Sequence, residues 1–195
     1  MDRIKQIIQE SIVSKNELLN ERQLIVRVGV IVKLIVTAFK TGNKVLFCGN
    51  GGSAADAQHL AAEFTGRFAF ERAPLPAEAL HANTSFLTAV ANDYDFKDTY
   101  ARLVQGIGRK GDVLVAISTS GNSDNIINAI KTANKMGLVT VGFTGQTGGK
   151  MKAICRYLIN VPSTNTPRVQ EMHILIGHII CELVESAMFK RKVRK

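Results

Sequence analysis

His59 and Glu63 stand four residues apart in AQHLAAEF, a spacing that puts both side chains on one face of a helix. An imidazole and a carboxylate held together can move protons, because apolar surroundings bring either pKa toward neutrality. His178, in ILIGHIICELV, is a further candidate. A single histidine in so apolar a run reads equally as a satisfied core residue. Gln170 lies eight positions before it, about 12 Å along a straight helix and roughly 80° around it. Spacing alone therefore does not aim Gln170 and His178 at one ion. Long side chains would have to bridge the gap, or the residues belong to sites shared between subunits. By donor type, His59, Glu63, Gln170 and His178 form a mixed nitrogen and oxygen set suited to a divalent metal.

Just upstream, 48-CGNGGSAAD-56 is a glycine-rich turn. Gly51 and Gly52 allow positive φ and close backbone approach to a ligand. Ser53 reads as the opening of a helix whose unpaired N–H groups attract an anion, or as a plain N-cap of a tight turn. A second loop, 118-STSGNS-123, offers the hydroxyls of Ser118, Thr119, Ser120 and Ser123 ahead of another helix. Hydroxyls and amides can hold phosphate without formal charge, and two such loops are more specific than one. There is no GxGxxG with an acidic residue about 20 positions on, and no GxxxxGK[ST]. The expected ligand is a small phosphorylated molecule rather than a nucleotide. Glu63 lies about 15 Å along the helix from Ser53, so an extended substrate or a curled loop would have to close that gap. A carboxylate, an imidazole and a sugar phosphate together suit aldose–ketose isomerisation. A base removes the proton beside the carbonyl, a second group moves the hydroxyl proton, and a cis-enediol lies between.

These residues need a frame. KVLFCG (44–49), DVLVAI (112–117), LVTVGFTG (138–145) and YLINV (157–161) read as short buried strands. Helical patterns alternate with them, at about 124–136 and over a long apolar stretch from 167 to 189 with Pro167 at its start. Two further helices, 3–19 and 21–40, precede the first strand, and Gly42-Asn43 ends the second. Alternation of this kind indicates an α/β fold, a parallel sheet covered by helices on both faces. Ligands in such sheets bind at the carboxyl ends of the strands, where both loops fall. Residues 70–79, FERAPLPAEA, read as a surface connection.

The 195 residues, 46% hydrophobic and 21% charged, suit a single globular domain spanning 1–195. No apolar run reaches the ~18–20 residues of a membrane span. The charged start does not resemble a signal peptide, so a cytoplasmic location and no membrane partner are expected. Three cysteines without CxxC spacing read as small buried hydrophobes. The net charge is +9, with five basic residues in KRKVRK (190–195). No basic stripe interleaves with aromatics, so nucleic acid is not an expected partner. A positive field equally suits an anionic small substrate.

CGNGGSAADAQHLAAEFTGR (48–67), Asn92-Asp93, STSGNS (118–123) and RVQEMHILIGH (168–178) together resemble the phosphoheptose isomerases, which have the sugar-isomerase (SIS) fold. The likeness runs over essentially the whole chain. It implies a flavodoxin-like three-layer αβα sandwich with long N- and C-terminal helices. It also implies a homotetramer in which residues 1–42 serve oligomer packing and active sites form at subunit contacts. The implied reaction converts sedoheptulose 7-phosphate to D-glycero-D-manno-heptose 7-phosphate, the first step toward activated heptose for lipopolysaccharide core or other surface glycans. By the same likeness Asn50, Gly51, Gly52 and Ser53 bind substrate, with Ser53 on the phosphate. Ser118, Thr119, Ser120 and Ser123 complete the phosphate site. Asn92 and Asp93 face the sugar, and Gln170 also touches substrate. Glu63 is the base and His178 the acid, and His59, Glu63, Gln170 and His178 match zinc ligands. Two departures flank the sugar-facing pair: His81 and Asn83 where a threonine- and aspartate-rich run is expected, and Asp95 where glycine is expected. The main alternative is a non-catalytic SIS-fold tetramer that binds the replication-initiator protein. That group lacks the counterparts of Glu63 and His178, which this chain has.

Overall fold

The computed structural model describes residues 1–190. Most of the basic KRKVRK segment lies outside the described residues. The chain opens with two helices, α1 (Asp2–Asn20) and α2 (Arg22–Lys40), followed by β1 (Val45–Gly49) and α3 (Gly52–Thr65). Then come β2 (Ala77–Ala79), α4 (Thr84–Asp93), α5 (Thr99–Ile107), β3 (Val113–Ile117) and α6 (Asp124–Met136). The last elements are β4 (Val139–Thr144), β5 (Tyr157–Asn160) and α7 (Thr166–Met188).

All strand pairs are parallel, and their order is β2-β1-β3-β4-β5. This is the doubly wound, flavodoxin-like order, whose direction reverses between β1 and β3. The strands alternate their side chains between two helical layers. Val45, Phe47, Val113, Val115 and Phe143 pack with α2, α3 and α7 in one core. Leu46, Cys48, Leu114 and Ala116 pack with α5 and α6 in the other. Strands buried on both faces explain the near-continuous apolar runs of β1 and β3.

The segment read as a plain surface connection differs from expectation. Its end, Ala77–Ala79, pairs with Val45–Phe47 as the edge strand β2. Pro76 just before it contributes its carbonyl to the Val45 amide, which suits proline at a strand's first edge.

Candidate active site

The two loops singled out above follow β1 and β3, the strands that flank the switch point. Gly51 takes φ +55° and serves as N-cap of α3. Ser53, expected at the helix opening, instead lies one residue inside it, buried and making no cap hydrogen bond. The loops are tied to each other. Asn50 and Asn125 exchange two amide hydrogen bonds of 2.9 and 2.8 Å, and Asn125 is almost fully buried. Asn125 was not anticipated. Its only signal was a second carboxamide just beyond STSGNS.

In the second loop Ser118 Oγ and Ser123 Oγ lie 3.2 Å apart, and the exposed Ser120 Oγ accepts from the Asn122 amide. Among the described residues the amides of Thr119 and Ser120 have no backbone acceptor. Gly121, at φ +67°, lies against Gly148: a Cβ there would sit 2.3 Å from the Gly148 carbonyl. The turn after β4 thus buttresses the loop, and Asn122 Oδ1 accepts from the Lys150 amide. Hydroxyls, amides and the N-termini of α3 and α6 meet in one polar corner fit for an anion.

Gln170, on the second turn of α7, reaches this corner. A Cβ on Gly52 would come within 2.6 Å of Gln170 Nε2. Glycine at 52 therefore leaves room for the Gln170 carboxamide against the loop.

His59, Glu63 and His178 meet elsewhere, where α3 crosses α7. His59 Nε2 lies 2.9 Å from His178 Nε2 and 3.4 Å from Glu63 Oε1. The ring of Phe68 stands 5.7 Å from that of His178. The side chain of His59 is 48% exposed and that of Glu63 21%, so the cluster opens outward. The alternative of His178 as an isolated core residue does not hold: it is half-buried and in contact with His59. Asp56, one turn before His59, is pushed above the usual carboxylate range by burial, against the pull of His59. Burial, and secondarily the charge of Glu63, raises the Cys181 thiol to about 12, so that thiol stays neutral beside the cluster.

Within one subunit the anion corner and the His–Glu cluster remain apart. His59 is about 9 Å and Glu63 about 15 Å along α3 from Ser53. Gln170 sits with the corner rather than with His178. Asn92 and Asp93 lie exposed at the end of α4 and hydrogen-bond each other at 2.9 Å. Nearby, Asn83 caps α4 by accepting from the Phe86 amide, a structural use for one departing residue. Asp95, the other departure, accepts from the Lys97 amide at the start of a short 3-10 turn.

The donor types of the cluster suit zinc, which accepts imidazole nitrogen and carboxylate oxygen. His59 is the shared contact. Among the described residues no three His, Cys, Asp or Glu side chains converge as a ready-made metal site.

Comparison with known proteins decides the family. The SIS domain model matches residues 15–145. The phosphoheptose isomerase of Clostridium acetobutylicum is 51% identical over 186 residues, covering 95% of each chain. The chain belongs to the phosphoheptose isomerase family. The member from Aneurinibacillus thermoaerophilus is 50% identical over 191 residues, covering 98% of this chain and 96% of its own. Among solved structures of the family, phosphoheptose isomerase GmhA from Neisseria gonorrhoeae superposes with a TM-score of 0.89 at 42% identity, covering 95% of this chain and 98% of its own. Family membership makes this chain an isomerase. Nothing in these relatives supports the non-catalytic, replication-protein-binding alternative.

Proposed function

We propose that this chain interconverts sedoheptulose 7-phosphate and D-glycero-D-manno-heptose 7-phosphate through an enediol. The observation that carries the reading is the meeting of His59, Glu63 and His178 at 2.9 and 3.4 Å. A carboxylate and two imidazoles in contact can accept and return protons between neighbouring carbons and oxygens.

In this reading Asn50, Gly51, Gly52 and Ser53 with Ser118, Thr119, Ser120 and Ser123 hold the phosphate. Gln170 beside Gly52 orients the sugar, and Asn92 and Asp93 face it. Glu63 removes the proton from the carbon next to the carbonyl. His178 moves the proton between the two oxygens. His59, in contact with both, keeps them oriented. The separation of corner and cluster supports sharing of active sites, one subunit's corner facing another's cluster. Large apolar side chains exposed on α1 and α2, among them Ile4 (65%), Ile8 (55%) and Val26 (61%), support their use in packing a homotetramer. His59, Glu63 and His178 would hold zinc, with Gln170 reaching it only from a neighbouring subunit. When bound, the ion supplies Lewis-acid polarisation of substrate oxygens. Among the described residues no helix is long and apolar enough to cross a membrane. A cytoplasmic enzyme at the head of heptose supply for lipopolysaccharide core or surface glycans is consistent with that.

The test is proton exchange. The protein is incubated with sedoheptulose 7-phosphate in D₂O, and the C1 and C2 protons are followed by NMR with and without a chelator. Deuterium entry with a new aldoheptose signal is the expected outcome, and sensitivity to chelator reports the metal. A folded tetramer supplied with zinc that exchanges no proton would overturn the reading.

A further inference from the structure

The acid–base cluster sits on two helices from distant parts of the chain, so something must fix their separation. Two turns beyond His178 on the same stripe of α7 stands Glu185. Its partner is Arg72, in the turn after α3, and both side chains are 1% exposed. Their bonds are directional and engage every nitrogen of the guanidinium and both oxygens of the carboxylate. Arg72 Nε donates to Glu185 Oε1 at 2.9 Å. Arg72 Nη2 donates to the carbonyl of Glu63 at 2.7 Å, and Nη1 to those of Phe64, Gly66 and Ala73 at 2.7, 3.0 and 3.0 Å. Glu185 also accepts the amides of Phe68 and Ala69 at 2.8 and 2.7 Å. The guanidinium therefore serves as C-terminal cap of α3, where the last carbonyls lack intrahelical partners. It grips the very residue read as the base, while the carboxylate on α7 holds the backbone of Phe68, whose ring packs on His178. Burial works against the Glu185 carboxylate, but the two amides and Arg72 outweigh it and keep its pKa low.

An apolar pair of the same volume often stabilises as well as a buried ion pair. What it cannot supply is these bonds to named carbonyls and amides. We propose that Arg72 and Glu185 are a positioning pair for the acid–base cluster, setting the register of α3 on α7 on which the His59–His178–Glu63 contacts depend. The inference rests on the reading of those three residues as the proton-handling groups.

The test uses the full chain with [13Cε1]-histidine. Four histidines, His59, His81, His173 and His178, give four signals. Arg72→Lys keeps the charge and loses the fork. The expected result is a folded protein whose kcat on sedoheptulose 7-phosphate falls tenfold to a hundredfold with KM within about twofold. The His59 and His178 resonances move and those of His81 and His173 stay. Should Arg72→Lys not fold, Glu185→Gln, which keeps the shape and loses the charge, is read the same way. A folded variant with unchanged kcat and unmoved His59 and His178 signals overturns the proposal. So does a lowered melting temperature with kcat intact, which marks a merely structural pair. If the wild-type protein fails to turn over the heptulose, the reaction reading falls, and the resonance shifts alone decide the positioning role.

Discussion

Gly177→Ala tests whether the helix crossing controls the chemistry. Gly177 precedes His178 on α7 and lies directly over Leu60, the neighbour of His59 on α3. A Cβ at 177 would meet Leu60 Cδ1 at 2.6 Å, Cδ2 at 2.7 Å and Cγ at 3.2 Å. Carbon atoms pack at about 3.5–4.0 Å, so something must yield by about 1 Å. Leu60 is 2% exposed, and the void that it and Gly177 border with Phe47, Phe64 and Ile180 is only about 10 Å³. Leu60 thus has little room to swing aside, and the helices must part. Overpacking costs about 1–3 kcal/mol, while replacing a helical glycine by alanine recovers about 1 kcal/mol. The net loss is about 0–2 kcal/mol, a fall in Tm of roughly 0–8 °C for a chain of this size. Activity should suffer more. The 2.9 Å His59–His178 contact stretches by a comparable distance, and a 1 Å misplacement costs about a hundredfold in rate.

The assay is steady-state turnover of sedoheptulose 7-phosphate beside a melting curve. KM should change little, because Gln170 and the anion corner lie about 10 Å further up α7. Adding Leu60→Val to Gly177→Ala makes room and should restore part of kcat. A Gly177→Ala enzyme with kcat within twofold of wild type would refute the reasoning. No recovery in the double variant would show that the clash is not the cause.

Three further outcomes are expected. Glu63→Gln should abolish turnover with an unchanged circular dichroism spectrum and melting curve, since the side chain is partly exposed and makes no bond that an amide could not replace; normal turnover would remove Glu63 as the base. Ser120→Ala should mainly raise KM, because phosphate contacts act largely as uniform binding; a large fall in kcat at unchanged KM would contradict that role. His173 is buried against Phe143, with Nε2 at 3.1 Å from the Thr144 carbonyl, and burial lowers its pKa to about 4. The unfolded value lies near 6.5, so protonation favours the unfolded chain: the stability is whole above pH ~6.5 and is lost as pH falls toward 4, by about 2 kcal/mol at pH 5. Urea midpoints at pH 7 and 5 should show this slope in the wild type and a shallower one in His173→Leu; equal slopes would exclude His173 as its source.

The parts of the fold that could be read from sequence are those with strong local patterns. β1 and β3 are unbroken apolar runs because both faces are covered, and α6 and α7 carry clear apolar spacing between recognisable ends. β2 escaped because three residues at a sheet edge, AEA, hold no pattern of their own; they become a strand only through pairing with β1. α5 carries a signal in Tyr100, Ala101, Val104 and Ile107, which recur at helical spacing, but Gly106 within nine residues weakens it. The two loops were visible because glycine and hydroxyl chemistry is local and the switch point follows from topology. The cluster was legible only in part. His59 and Glu63 share a helix face by their spacing, but His178 lies 119 positions from His59. It joined them only by donor type and family likeness, since it takes the crossing of α3 on α7 to bring it there. The same limit hid the Arg72–Glu185 pair, whose partners are separated by 113 positions and look like ordinary surface charges in sequence. Gln170 shows the converse. The family likeness groups it with His178, yet the pitch of one helix carries it to Gly52, away from the cluster. Local sequence thus determines which chemistry is available, while the helix crossing determines which groups act together.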